Sequence, residues 1–122
     1  MRDHSKLRAF QLADQLTLLI YEHTRQFPDD ERFGLTSQLR RAAVSIGVNI
    51  VEGSARETLP DFIRFLTIAF GSAKELQYEL TLAARLQYLS ANRAHELHGL
   101  SSQTAKALWG LINTLKRSES DA

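Results

Sequence analysis

The sequence has 122 residues, of which 43% are hydrophobic and 24% charged, and its formal net charge is +1. These values predict one soluble domain with a single core, and they lack the strong basic excess of a dedicated nucleic-acid binder. Because the chain has no cysteine, disulfides and thiolate metal sites are excluded. The N-terminal segment has no signal-peptide run, and no stretch approaches the roughly 18 apolar residues of a membrane span. We therefore predict a cytoplasmic protein without a membrane partner.

The first predicted helix spans about residues 5–26. Its apolar residues recur at helical spacing: Ala9, Leu12, Ala13, Leu16, Leu19 and Ile20. Pro28 ends this helix, because the residue before a proline is disfavoured in the α region.

The second predicted helix, about 36–53, is the element on which the fold depends. Thr36 or Ser37 can cap its start and Gly53 can end it. One apolar face carries Leu39, Ala43, Ile46 and Ile50, and a second face carries Val44, Val48 and Val51. A helix that is apolar on two sides needs two covers. We therefore expect it to lie inside a bundle with the three valines hidden from solvent, against another subunit as well.

The third and fourth predicted helices span about 60–88 and 91–117. Pro60 suits the first turn of one, and Ser90 can cap the other. Both carry an apolar stripe: Phe62, Leu66, Ala69, Ala73, Leu76, Leu80 and Ala83 on the third, and Leu97, Leu100, Thr104, Leu108, Leu111 and Leu115 on the fourth. Four long helices with short loops predict an all-α, up-down-up-down antiparallel four-helix bundle, with residues 1–122 as a single domain.

The second and third helices each carry a polar ribbon beside the core stripe. The ribbons consist of Arg41, Ser45, Asn49 and Glu52 on one helix, and Asp61, Arg64, Ser72, Glu75 and Glu79 on the other. Antiparallel register pairs Arg41 with Glu75 or Glu79. It also pairs Ser45 with Ser72, and Glu52 with Arg64. The pattern predicts a seam of hydrogen bonds and ion pairs, which either fixes helix register or lines a ligand or catalytic cleft.

Four blocks of the sequence carry a resemblance to a known family. The match covers about residues 7–90, with the fourth helix agreeing only in pattern, and its blocks are Tyr21-x-x-Thr24-x-x-Phe27-Pro28-x-x-Glu31, Gly34-Leu35-x-x-Gln38-Leu39-x-Arg41-Ala42, Ser45-Ile46-x-x-Asn49-Ile50-x-Glu52-Gly53 and Phe65-Leu66-x-x-Ala69-x-Gly71-Ser72-x-x-Glu75-Leu76. Together they resemble the bacterial 23S rRNA intervening-sequence proteins, also called S23 proteins. The resemblance implies a four-helix bundle that assembles into a homopentameric ring. It also implies distant kinship with the more basic accessory protein of retroelements, which works with a reverse transcriptase and nucleic acid.

Catalytic and metal-binding patterns are weak in this chain. A di-iron bundle needs two Glu-x-x-His pairs, and no glutamate here has a histidine three residues later. His95 and His98 lie one turn apart, but no third ligand converges on them, so we interpret them as solvated side chains. Gly47 and Gly71 match no phosphate-binding loop, and we attribute them to close backbone approach. We predict no enzyme activity, no cofactor, no metal and no small-molecule substrate.

Basic residues gather near the two chain ends, which an antiparallel bundle brings to one end. They are Arg2, Lys6, Arg8, Lys106, Lys116 and Arg117. Repeated around a ring, they would form a collar that contacts RNA or DNA. Alternatively, Lys116 and Arg117 only complement the dipole of the last helix.

Trp109 lies beside the apolar stripe of the fourth helix. We predict that it anchors a subunit contact together with the valines of the second helix, because aromatic residues are common anchors there. The alternative is a residue at the bundle edge.

Three functions follow from these patterns. The preferred one is a non-enzymatic, ring-forming scaffold for a partner such as RNA or DNA. The second is a protein-only interaction module. The third is a small-molecule or metal enzyme that uses the seam of Arg41, Glu52 and Glu75.

Overall fold

The computed structural model describes residues 2–121 and contains four long helices. These are α1 (Arg8–His23), α2 (Leu35–Ser54), α3 (Leu59–Arg85) and α4 (Ala91–Asp121), with short 3-10 turns at His4–Lys6 and Asp29–Glu31. Each helix packs on the next, and α4 packs back on α1; within residues 2–121 the diagonal pairs do not approach each other. The predicted up-down-up-down antiparallel four-helix bundle is confirmed.

The core is formed by the apolar stripes that the sequence indicates. On α2, all four predicted core residues are fully buried, and on α3 all seven are buried. On α1 and α4 the stripes are buried except at Leu19, Leu111 and Leu115, which are partly buried against the core. Burial of these side chains is the main stabilising contribution, at roughly 1.5–3 kcal/mol for each large one.

The helix α2 begins before the predicted caps Thr36 and Ser37. It starts at Leu35, whose amide donates to the Glu31 carboxylate at 3.1 Å, so a side chain from the preceding turn satisfies this helix end. Thr36 instead faces the interior. A Cβ at Gly34 would lie 2.6 Å from the same carboxylate oxygen. The absent side chain at Gly34 therefore leaves room for this cap.

Gly53 does not end α2 as predicted, because the helix continues to Ser54. A Cβ at Gly53 would lie 2.7 Å from the Cβ of Phe65 and 3.2 Å from the Phe62 ring. The glycine therefore lets the end of α2 approach α3 closely. It has a packing role and not a capping role.

The remaining helix ends are set by local hydrogen bonds. Thr58 accepts from the Asp61 amide at 3.2 Å at the start of α3, where Pro60 lies in the first turn as predicted. Ser90 accepts from the Arg93 amide at 3.2 Å and caps α4, also as predicted. In the turn between these helices, Gln87 has a positive φ of 63°, a conformation that is uncommon for a non-glycine residue.

Among residues 2–121, no helix combines the length and apolar character that a membrane crossing requires.

Candidate functional site

The seam between α2 and α3 is centred on two serines. The hydroxyls of Ser45 and Ser72 lie 2.9 Å apart, so the hydrogen bond that antiparallel register predicts is present. Asn49 does not cross to α3. Its amide donates to the Ser45 carbonyl at 2.8 Å and to the Ser45 hydroxyl at 3.1 Å within α2. The Ser45–Ser72 hydrogen bond is therefore the direct polar link between α2 and α3 in this seam, and Asn49 supports it from α2.

The ion pairs that the sequence suggests along this seam do not form. Among residues 2–121, Arg41 and Glu52 are exposed and take part in no ion pair. Arg64 pairs with Asp61 on its own helix at 3.3 Å instead of with Glu52. Long exposed side chains gain little from a surface pair, so matching register did not suffice to bring the charges together.

Glu79 is the buried acid of the seam, with only 3% of the residue exposed. Burial, together with a hydrogen bond to Glu75 and the charge of Glu75, raises the pKa of its carboxyl to about 7. One oxygen, Oε1, has no hydrogen-bond partner. The prediction that Arg41 pairs with Glu75 or Glu79 is wrong, because Arg41 takes part in no ion pair among residues 2–121. The carboxyl of Glu79 instead faces Glu75, one turn away on the same helix.

An open groove of about 670 Å³ lies beside the serine pair. Its lining includes Arg40, Arg41, Ser45, Ser72, Glu75 and Tyr21. Arg40 is held by a 2.9 Å hydrogen bond to Thr24 and by stacking 4.7 Å from the Tyr21 ring. Glu52, the third member of the enzyme hypothesis, lines a different groove. The geometry thus separates Glu52 from Arg41 and Glu75.

The three valines of α2 are not hidden within the chain, contrary to the expectation that this face is covered. Val44, Val48 and Val51 are 38%, 45% and 37% exposed. With Phe10, Asp14, Thr17, Gly47 and Glu52 they line a groove of about 420 Å³ between α1 and α2, which we call the valine groove. A single chain therefore leaves the second face of α2 open, with apolar side chains in contact with solvent.

Trp109 lies at the edge between α3 and α4. Its ring packs 5.2 Å from the ring of Phe70, centroid to centroid, and the residue remains 52% exposed. We call this pair the aromatic edge. Each helix packs on its neighbours in sequence, and α1 packs on α4, so the α1–α2 side of the bundle is opposite the α3–α4 side. The valine groove and the aromatic edge therefore lie on opposite sides. The predicted contact residues thus form two separate surfaces.

The interpretation of Gly47 and Gly71 as sites of close approach within the chain is wrong. A Cβ at either position would meet nothing within 4 Å. Glycine in a helix interior costs about 1 kcal/mol relative to alanine. Packing within one chain therefore does not explain these two glycines. Gly47 lies in the valine groove itself.

The predicted basic collar is only partly assembled. Arg8 and Lys106 line one groove between α1 and α4. Lys6, Lys116 and Arg117 are exposed, and Arg117 donates at 3.4 Å to the hydroxyl of Thr114, which lines the same groove. Arg2 does not lie with the other predicted collar residues. It lies over the Phe62 ring at 4.4 Å, at the same end of the bundle but on the side of α2 and α3.

Three arginines lie over two phenylalanine rings at this end, a cluster that we did not predict from the sequence. The guanidinium groups of Arg56 and Arg64 each lie 4.6 Å from the centroid of the Phe65 ring, close to Arg2 over Phe62. Arg2 also donates to the Arg56 carbonyl at 2.8 Å. The alternation of arginine and phenylalanine over 56–65 was the available signal. The position of Arg2 over Phe62 could not be predicted without the fold.

The histidines form no metal site in the described part of the chain. His95 and His98 are exposed as expected, and no group of three acidic or histidine side chains converges among residues 2–121. A contact between His23 and Glu96 was not predicted from the sequence; their Nε2 and Oε1 atoms lie 3.0 Å apart. This contact joins the end of α1 to the start of α4.

The comparisons with known proteins agree on one family. Residues 5–110 match the family model described as 23S rRNA-intervening sequence protein. The fold is similar to the crystal structure of a protein of unknown function from the S23 ribosomal protein family of Bacteroides thetaiotaomicron. The TM-score is 0.77 and the identity 26%, covering 85% of this chain and 97% of the other. No curated protein matches. The resemblance drawn from the sequence blocks is confirmed.

Proposed function

The chain belongs to the 23S rRNA-intervening sequence protein family, and from that premise we propose a non-enzymatic scaffold in the cytoplasm. In this proposal the chain assembles into a homopentameric ring, and the ring associates with nucleic acid at its basic end. The observation that carries the proposal is the valine groove. Val44, Val48 and Val51 are exposed side by side on a well-formed helix, and such a patch in a soluble protein is typical of an interaction surface.

The occupant of the valine groove in this proposal is the aromatic edge of a second copy. The groove is apolar and measures about 420 Å³, which is ample for one tryptophan side chain. Trp109 is half exposed and already positioned by Phe70, so little rotamer freedom is lost on docking. Aromatic residues are frequent energetic anchors of interfaces.

The two surfaces support a ring because they lie on opposite sides of the bundle. A contact between unlike surfaces is heterologous, and repetition closes it into a ring when the rotation allows. A two-fold dimer would instead use one surface twice. Five copies is the number that the family resemblance implies, and it corresponds to five chains of 13.8 kDa.

Gly47 supports the same arrangement. It lies in the valine groove, and a Cβ there would have no neighbour within the chain. Because Gly47 has no side chain, a helix or an aromatic side chain of a second copy can approach the backbone of α2 between the valines. This explains a glycine that weakens the isolated helix.

Light scattering coupled to size exclusion tests the assembly. We expect a mass near five times that of the chain at micromolar concentration, with dissociation on dilution. A chain that remains monomeric at these concentrations would refute the scaffold proposal. A stable dimer would refute the heterologous ring.

Disulfide trapping tests which surfaces meet. Because the chain contains no cysteine, Val48→Cys and Trp109→Cys introduce single thiols. An equimolar mixture should form Val48–Trp109 crosslinks under mild oxidation, whereas each variant alone should not crosslink. Crosslinking of Val48→Cys alone would show that two valine grooves face each other and would contradict the proposal.

The protein-only interaction module is the second candidate, and the formal net charge of only +1 favours it. The two candidates differ in binding to RNA. Phosphate contacts must weaken steeply as salt rises, so salt-dependent binding supports the nucleic-acid role. Absence of binding to single-stranded and duplex RNA at low salt would favour the module.

A further inference from the structure

Three arginines lie over two phenylalanine rings at the end of the bundle where α2 passes into α3. Arg2 lies over Phe62, and Arg56 and Arg64 lie over Phe65, at 4.4–4.6 Å. Phe62 and Phe65 are 2% and 9% exposed, so each guanidinium lies over a ring that is fixed in the folded protein. We call this group the arginine platform.

The platform is ordered before any ligand arrives. Arg2 is fixed by the 2.8 Å hydrogen bond to the Arg56 carbonyl, and its backbone amide donates to the Ser54 carbonyl at 3.4 Å. Stacking on a ring removes further rotamer freedom, which otherwise opposes binding. The cost of ordering these side chains is therefore met within the folded protein.

Two of the three charges lack an acidic partner. Among residues 2–121, Arg2 and Arg56 form no ion pair, whereas Arg64 pairs with Asp61 at 3.3 Å. Arg2 and Arg56 line a groove of about 550 Å³ together with Ala55 and Glu57. The groove thus presents two unpaired guanidinium groups and one carboxylate, with Arg64 at the same end.

We propose that the arginine platform binds the phosphodiester backbone of single-stranded nucleic acid. A guanidinium group presents a planar fork of donors that matches phosphate, and its free face can stack on a base. This inference rests on the proposed association with nucleic acid and names the site. It differs from the sequence-predicted collar, because Arg56 and Arg64 are new and only Arg2 is shared.

The shape of the platform favours a single strand over a duplex. The charges are confined to one end of the bundle, and the arginines are spread around a helix junction and not along one helix face. A strand with unstacked bases can follow such a surface, whereas duplex recognition uses an element inserted into a groove. Alternating phosphate contact and base stacking is the usual way in which single strands are held.

Covering the phenylalanines is the competing explanation for the arginines, since long basic side chains often shield apolar surface. Methionine tests this alternative, because it keeps an apolar stem over the ring and removes the charge. The matched control is Arg32→Met. Arg32 also lies over a phenylalanine, Phe33, at 5.3 Å, but in the α1–α2 connection at the opposite end of the bundle.

The experiment measures fluorescence anisotropy with a labelled oligouridylate and an oligothymidylate of about 12 nucleotides each. Labelled polyglutamate is the comparison polyanion. The proteins are the wild type, the Arg2→Met/Arg56→Met double variant and Arg32→Met, each with its mass measured by light scattering and its helix content by circular dichroism. Titrations run from about 50 to about 200 mM salt.

We expect the double variant to lose about tenfold in affinity for both oligonucleotides, and its log–log salt slope to fall by about 1.4. Arg32→Met should bind like the wild type, and polyglutamate should bind weakly to all three proteins. An equal loss in Arg32→Met, an unchanged double variant or equally tight polyglutamate binding would overturn the site. A monomer that binds through these arginines would refute the ring and keep the platform.

Discussion

The two apolar faces of α2 carry similar side chains and differ in what covers them. Ile46 and Ile50 on the inward face are fully buried by the other helices, whereas Val48 on the outward face is 45% exposed. Both faces follow the helical period, so periodicity identifies each as apolar. The chain itself provides a cover for only one of them. The inward residues therefore fold the bundle, and we assign the outward residues to assembly.

Removing side-chain volume from the inward face should have the largest effect on folding. Ile46→Ala creates a cavity at a fully buried site and should lower the free energy of unfolding by about 3 kcal/mol. Val48→Ala on the outward face should change it by less than about 0.5 kcal/mol, because alanine favours the helix. Urea unfolding of both variants at concentrations where the chain is monomeric checks the pair. Equal losses would erase the distinction between the faces.

A charge on the outward face should act on assembly and not on folding. Val48→Glu places a carboxylate in the valine groove and should weaken self-association at least about 100-fold, or about 2.7 kcal/mol. Light scattering across a dilution series measures the change, and circular dichroism should show unaltered helix content. Lys106→Glu, at the groove between α1 and α4, is the control and should assemble normally. An assembled Val48→Glu variant would contradict the assignment of this face.

The seam between α2 and α3 contains the buried acid Glu79, which predicts that the stability of the protein depends on pH. The carboxyl pKa of Glu79 is about 7 in the folded chain against an ordinary 4.5. Between these values the folded state holds a proton that the unfolded state has lost, so stability falls as pH rises through this window. Glu79→Gln should remove the decline and stabilise the protein at pH 8 by on the order of 2 kcal/mol.

Urea unfolding at several pH values from about 4 to about 8, a range that brackets the window from 4.5 to about 7, measures the effect. Glu57→Gln is the control, because Glu57 is exposed near the other end of α3, and it should leave the pH dependence intact. Stability that rises with pH through this window in the wild type would contradict the raised pKa of Glu79.

Substitution of Gly47 should give the smallest effects, and it should change monomer stability and assembly in opposite directions. Gly47→Ala adds a methyl group in open space within one chain, and should stabilise the monomer by about 0.5–1 kcal/mol through helix propensity. The same methyl should weaken assembly if a second copy approaches this backbone. Urea unfolding and light scattering measure the two quantities. Gly99→Ala on α4, also free of neighbours, should stabilise without affecting assembly.

The sequence predicted the helices and their inward residues well, because burial follows a simple angular pattern. It predicted the Ser45–Ser72 contact, since short side chains at a matched register have few alternatives. Ion pairs for Arg41 and Glu52 were predicted on the same register and are absent. Long charged side chains extend into solvent, where pairing contributes little.

Contacts between chain-distant elements were the least predictable. Arg2 reaches Phe62 because the turn at His4–Lys6 places the N-terminal residues beside the end of α2. His23 and Glu96 meet because α1 and α4 close the bundle. Neither pair has a local spacing from which periodicity could be read. The sequence pattern of exposed apolar residues also does not indicate which surface packs against them.

The carboxylate of Glu31 connects two loops that are remote in sequence. One oxygen accepts from the Leu35 amide at 3.1 Å, and the other accepts from the Tyr88 hydroxyl at 2.9 Å. The contact with Glu31 is also the main reason that the pKa of Tyr88 is raised. Amide hydrogen exchange should therefore find the first turn of α2 and the α3–α4 turn opening as one cooperative unit. Glu31→Gln should loosen both segments together, although 57 residues separate Glu31 from Tyr88.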